Sequence, residues 1–210
     1  MTSDAIDKKR LERIFIAMDD AAASAKRDHQ ILCIFGAAAI LSYGSNERQT
    51  EDIDIWRPAS KLNDRALRQM AEAAGLDFNP TELEPDKAYL QVIDDGVVQM
   101  PSFDAQNYTW SNGQKSETLW SGDALTIVAP PPAIVAAAKM VRANPQDIED
   151  VAFLMNVKSI STADITIALR HFPQEARHKA LENMIMLDLA IPSQLDRPLQ
   201  KGRDDGGYGR

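Results

Sequence analysis

Phe35-Gly36-Ala37-Ala38-Ala39-Ile40-Leu41-Ser42-Tyr43-Gly44, followed after a short polar stretch by Arg48-Gln49-Thr50-Glu51-Asp52-Ile53-Asp54, spells a strand end, a glycine, a short helix, a polar loop and a second strand. Ahead of it, Ile31-Leu32-Cys33-Ile34-Phe35 is an apolar run of strand length, as expected of a strand buried on both faces. Gly36 ends that run, and the small residues behind it open a helix over 37–43. Residues 51–56 alternate acid with apolar, the period of a strand with one buried face.

That alternation sends Asp52 and Asp54 out of the same face, about 6.6 Å apart along an extended strand, while Ile53 and Ile55 point to the core. Two carboxylates side by side repel, and one of them is driven to hold its proton unless a cation or strong donor lies between them. Mg²⁺ or Mn²⁺ meets that need, because such ions take carboxylate oxygens and complete their shell with water and substrate phosphates. The alternative is an edge strand with an acidic outward face. Gly36 and Ala37 sit where bare backbone N–H groups open a helix and a phosphate can approach; Gly36 also reads as a plain tight-turn glycine. Arg48 and Thr50 would add a guanidinium fork and a hydroxyl to the same phosphate, or be solvated loop residues.

Outward from this centre the chain is α/β, of the α+β kind. Leu11, Ile14, Phe15, Met18 and Ala22 share one stripe of an amphipathic helix, with Thr2 or Ser3 as N-cap and Asp4 in its first turn. A helix is expected over 62–74, and strands over 89–93 and 97–100 flank Asp94-Asp95-Gly96, a hairpin turn signal. Residues 104–122 read as loop with one strand at most, and 125–128 as a further strand. Pro130-Pro131-Pro132 then breaks the chain, and helices are expected over 134–143, 145–155, 162–172 and 173–189. The resulting organisation is a mixed-sheet core with its N-terminal helix (1–129), a helical subdomain (130–195) and a disordered tail (196–210) too poor in apolar residues to pack.

Composition narrows the function classes. A chain of 210 residues buries roughly 70% of its unfolded surface and needs no disulfide. The single cysteine, Cys33, lies in the apolar run and reads as a core thiol, which fits a reducing cytoplasm. With three His and one Cys a structural zinc site is not expected. The start of the chain lacks the regions of a signal peptide, and no apolar stretch approaches the ~20 residues of a membrane helix; the expectation is a cytoplasmic protein with no membrane partner. A formal net charge of −8 argues against nonspecific coating of nucleic acid, which draws its affinity from Lys and Arg, but leaves room for a local basic cleft.

The run from Phe35 to Asp54 resembles the signature of the polymerase-β-like nucleotidyltransferase superfamily, in particular the branch of AbiE-type toxins and related bacterial proteins. The resemblance continues through Ala136-Ala137-Ala138-Lys139-Met140-Val141-Arg142 and Gln146-Asp147-Ile148-Glu149-Asp150-Val151-Ala152-Phe153-Leu154, similar to that branch's helical motif. It implies an Mg²⁺- or Mn²⁺-dependent transfer from a nucleoside triphosphate to a macromolecular acceptor, tRNA or a protein, and a cognate antitoxin as partner. It also implies Asp52 and Asp54 as metal-holding catalytic acids. Gly36, Ala37, Arg48 and Thr50 become nucleotide contacts, with Lys139 a cation for the phosphates. Asp147 is then either a base or the group that orients Lys139; Asp150, one helical turn on and on the same side, reads as polar packing or as an acid that supports the site without direct chemistry. Gly36-Ala37 stands where the branch usually has Gly-Gly or Gly-Ser, so only backbone donors remain there. A third acid, usual on a later strand, is replaced by Gln99, with Asp104 next along the chain; the alternative reading is therefore a catalytically inactive nucleotide- or partner-binding module of the same fold.

Overall fold

The computed structural model describes residues 5–84 and 87–190. Seven α-helices occur among them: α1 (Lys8–Ser24), α2 (Gly36–Ser42), α3 (Asp64–Ala73), α4 (Pro132–Arg142), α5 (Pro145–Lys158), α6 (Thr162–Leu169) and α7 (Gln174–Ala190). The strands are β1 (Gln30–Phe35), β2 (Asp52–Trp56), β3 (Asp77–Phe78), β4 (Tyr89–Ile93), β5 (Phe103–Asp104), β6 (Thr109–Trp110), β7 (Glu117–Ser121) and β8 (Leu125–Ala129). Six of them form one mixed sheet in the order β3-β4-β2-β1-β8-β7, and β5 pairs with β6 alone. The expected mixed α/β class is thus the observed one.

Each face of the sheet carries its own apolar cluster. Leu32, Ile34, Ile53, Ile55 and Leu90 pack with α1 and α3 on one side, while Cys33, Trp56, Ile93 and Val128 pack with α4, α5, α6 and α7 on the other. The strand period puts Asp52 and Asp54 on the second side, beneath the C-terminal helices. These helices are therefore packed on the sheet that carries the acids. Cys33 is fully buried, and burial pushes its thiol far up, in keeping with a core thiol. Among the described residues no single helix is long and apolar enough to cross a membrane.

Several sequence expectations are corrected. α1 is capped by Asp7, whose side chain accepts from the Arg10 amide, and not from Thr2 or Ser3; those two and Asp4 lie outside the described residues. The cause is tertiary: Ile6 is still extended, exchanging backbone hydrogen bonds with Thr50 at 2.6 and 3.1 Å, so the helix starts only after it. The hairpin at Asp94-Asp95-Gly96 does not form: a turn closes there, the Val97 amide donating to the Asp94 carbonyl at 3.4 Å, but β4 takes β2 and β3 as parallel neighbours, and residues 97–100 join no strand. Those residues instead run along a cavity. The stretch read as loop supplies β5, β6 and the edge strand β7, and Trp110 is buried with Phe103 at a ring-centroid distance of 5.2 Å. α6 ends at Leu169, short of the expected 172. The expected tail, 196–210, and the last residues of the helical part, 191–195, lie outside the described residues.

Candidate functional site

β1 and β2 are antiparallel neighbours with Phe35 opposite Asp54, so the glycine that follows Phe35 lies beside the second acid. Gly36 has φ +64°, the left-handed region. A Cβ there would stand 3.1 Å from Asp54 Oδ2. Backbone conformation and close approach therefore both call for glycine. Gly36→Ala is expected to lower unfolding free energy by about 1–2 kcal/mol, readable as an earlier midpoint in urea.

A cavity of about 630 Å³ opens over this spot. Gly36, Ala37, Arg48, Thr50, Asp52, Asp54, Lys139 and Asp147 all line it, so the side chains singled out in the sequence converge from both halves of the chain. Its walls also include Gln99, which stands in the third-acid position of the sequence reading, and Arg142, Glu175 and Lys179, which that reading did not name as site residues. Glu175 and Lys179 lie in the first turns of α7. The spacing of four between them was the only local signal that they share a face.

The Asp54 carboxyl is pushed up to about 7, first by burial and then by the Asp52 charge, against the opposing pull of Arg142 and Lys139. The Thr50 hydroxyl donates to Asp52 Oδ1. Asp54 therefore binds a proton more tightly in the folded protein than in the unfolded chain, where a carboxyl titrates near ~4. Stability must then fall as pH rises through the window from about 4 to about 7. In metal-free buffer Asp54→Asn is expected to stabilise the protein by on the order of 2 kcal/mol above pH 7, the gain shrinking toward pH 4. Urea titrations across that range would read it, and a pH-independent difference would contradict it.

Across the cavity, α4 and α5 meet at a tight turn. Asn144 and Asp147 form a capping box, and Asp147 is fully buried. Its Oδ2 accepts from Arg142 Nε at 2.7 Å and from the Asn144 amide at 3.3 Å. Its Oδ1 accepts from Arg142 Nη2 at 2.8 Å and Lys139 Nζ at 3.3 Å. Burial raises the Asp147 pKa, but the Arg142 hydrogen bond and the Lys139 and Arg142 charges outweigh it and hold the group below the usual range. With its oxygens engaged in this way, Asp147 is placed to orient two cations rather than to accept a proton. Lys139 is 7% exposed and donates to Asp150 Oδ2 at 2.6 Å. Arg48 approaches the same carboxylate, Nε to Oδ1, at 3.5 Å.

Neither alternative for the third acid places a carboxylate beside the pair. Gln99 lines the cavity as an amide. Asp104 is exposed and accepts from the Gln106 and Asn107 amides as a turn cap. In register beside Asp54 on β4 stands Gln91. Among the described residues no group of three or more His, Cys, Asp or Glu side chains is placed to hold a metal. Two carboxylates suit an ion that takes its remaining ligands from phosphate and water. The donor set therefore fits Mg²⁺ or Mn²⁺ arriving with a phosphate ligand and not an ion caged by protein alone.

No protein-family model matches the chain, and no curated protein shows significant sequence similarity to it. Among solved structures it is similar to that of an antigenic nucleotidyltransferase-like protein from Paracoccidioides brasiliensis. The TM-score is 0.51 at 13% identity, over 91% of this chain and 94% of that one. At that identity the likeness is one of fold, and the fold is nucleotidyltransferase-like.

Proposed function

We propose that the chain is a nucleotidyltransferase acting on a nucleoside triphosphate that enters with Mg²⁺ or Mn²⁺. The observation that carries this reading is the pairing of Asp52 and Asp54 on the cavity face beside Gly36, with Lys139 and Arg142 lining the same cavity. Charge balance points the same way. Four cations (Arg48, Lys139, Arg142, Lys179) and four acids (Asp52, Asp54, Asp147, Glu175) line the cavity, so a bare triphosphate would bring unbalanced negative charge.

Asp52 and Asp54 would hold the ion, which when bound polarises the α-phosphate and neutralises charge on its oxygens. The backbone N–H groups at Gly36 and Ala37 face the phosphates, and Arg48 and Thr50 close the loop side. Lys139 and Arg142, held by Asp147, present fixed positive charge to the pyrophosphate leaving group, where negative charge grows in the transition state. The resemblance to AbiE-type toxins suggests tRNA or a protein as acceptor and a cognate antitoxin as partner, in a cytoplasmic setting.

A noncatalytic nucleotide-binding module is the second reading, favoured by Gln91 beside Asp54 and Gln99 on the cavity wall. Incubation with each α-labelled triphosphate, Mg²⁺ or Mn²⁺, total RNA and total protein separates the two. Label transferred to RNA, to protein or to the chain itself supports the enzyme; binding without transfer supports the module.

A further inference from the structure

Arg48 and Lys139 come from opposite halves of the cavity, one from the loop before β2 and one from α4, and they share one carboxylate. Asp150 is 3% exposed. Its Oδ2 takes the Lys139 ammonium at 2.6 Å and its Oδ1 faces Arg48 Nε at 3.5 Å. That Nε is buried and has no hydrogen-bond partner among the described residues, while Nη1 donates to the Gln49 carbonyl at 2.9 Å. Asp147 cannot serve the same purpose, since Arg142 and Asn144 occupy it and its contact with Lys139 is the longer, 3.3 Å. Two cations facing one cavity repel, and a buried lysine without a counter-charge is costly. A carboxylate between them removes both penalties and fixes their directions before any ligand arrives, which is how a site avoids reorganising on binding.

We infer that Asp150 is a positioning residue that holds Arg48 and Lys139 jointly for the phosphates of the ligand, linking the loop before the acidic strand to the helical half of the cavity. This rests on the nucleotide-site reading above. It assigns Asp150 a part in binding although the side chain itself does not line the cavity.

The test uses the full chain, Asp150→Asn, and two readouts. The Arg48 Nε–H resonance is followed for solvent exchange by NMR, and inorganic tripolyphosphate with Mg²⁺ is titrated by calorimetry. Exchange at Arg48 is expected to quicken and tripolyphosphate affinity to fall by about tenfold. The losses from Asp150→Asn and Arg48→Gln are expected to be less than additive in the double variant, because Asp150 acts partly through Arg48 and partly through Lys139. An Arg48 signal unchanged in Asp150→Asn overturns the inference, as do strictly additive losses. A wild type that binds no tripolyphosphate sinks the functional reading instead, while the Arg48 signal still decides the positioning. If Asp150→Asn does not fold, Arg48→Gln reads the coupling from the other end. The Lys139 ¹⁵Nζ signal should then move, and a signal that stays in place overturns the proposal.

Discussion

Asp54→Asn is expected to abolish nucleotidyl transfer while leaving measurable affinity for a nucleoside triphosphate. The substitution keeps the shape of the side chain beside Gly36, but it removes one of the two anionic oxygen donors on the cavity face. Loss of a group that merely supports a metal ligand costs about 10–100-fold, so loss of a ligand itself should cost roughly 10²-fold or more in turnover. Binding draws on different groups, the backbone at Gly36 and Ala37 and the side chains of Arg48, Lys139 and Arg142, and should survive in part. Label transfer from α-labelled triphosphate measures the first quantity and calorimetry the second. Equal losses in both, or transfer undiminished in the variant, would refute the division of labour between acids and cations. The same substitution should make the metal-free protein more stable above pH 7, so loss of turnover cannot be blamed on unfolding.

The second large effect is on folding. Asp147→Ala is expected to cost about 3–5 kcal/mol of stability, the usual range when one partner of a buried ion pair is removed. The carboxylate is fully buried and satisfies Arg142, Lys139 and the Asn144 amide together. Its loss strands the 7%-exposed Lys139 with Asp150 alone, unmakes the capping box that begins α5, and opens a void. Arg142→Ala removes the exposed end of the same pair, whose side chain is 69% accessible, and should cost far less. Urea midpoints of the two variants would show the asymmetry. Equal and small effects would mean that water replaces the Asp147 carboxylate.

These expectations were legible in the sequence to different depths. The alternation Asp52-Ile53-Asp54-Ile55 carries its own geometry, because side-chain direction along a strand depends only on neighbours in the chain. The glycine after Phe35 is likewise local, and the helices of the C-terminal half follow from apolar spacing and from caps such as Asn144 and Ser161. The roles of Asp147 and Asp150 were half visible. An acid at a helix start complements the dipole whether or not it is also buried, and burial is not written in the spacing.

Local sequence carried most of the helices, the strands at the acids and around them, the shared face of Asp52 and Asp54 and the glycine turn beside them, all governed by contacts within a few residues; it did not carry β3, β5, β6 and β7. Strand neighbours were set by long-range packing, since pairing is chosen among edges brought together from distant parts of the chain. The hairpin read from Asp94-Asp95-Gly96 failed for that reason: β4 took β2 and β3 as its parallel neighbours, and residues 97–100 joined no strand. The start of α1 was set from afar as well, by the bridge between Ile6 and Thr50. The ion network of Arg48, Lys139, Arg142, Asp147 and Asp150 was decided in the same way. Each of these side chains resembles a solvated surface charge in isolation, and only the burial of Lys139, Asp147 and Asp150 against one another, where solvent screening is weak, draws Arg48 and Arg142 into a site.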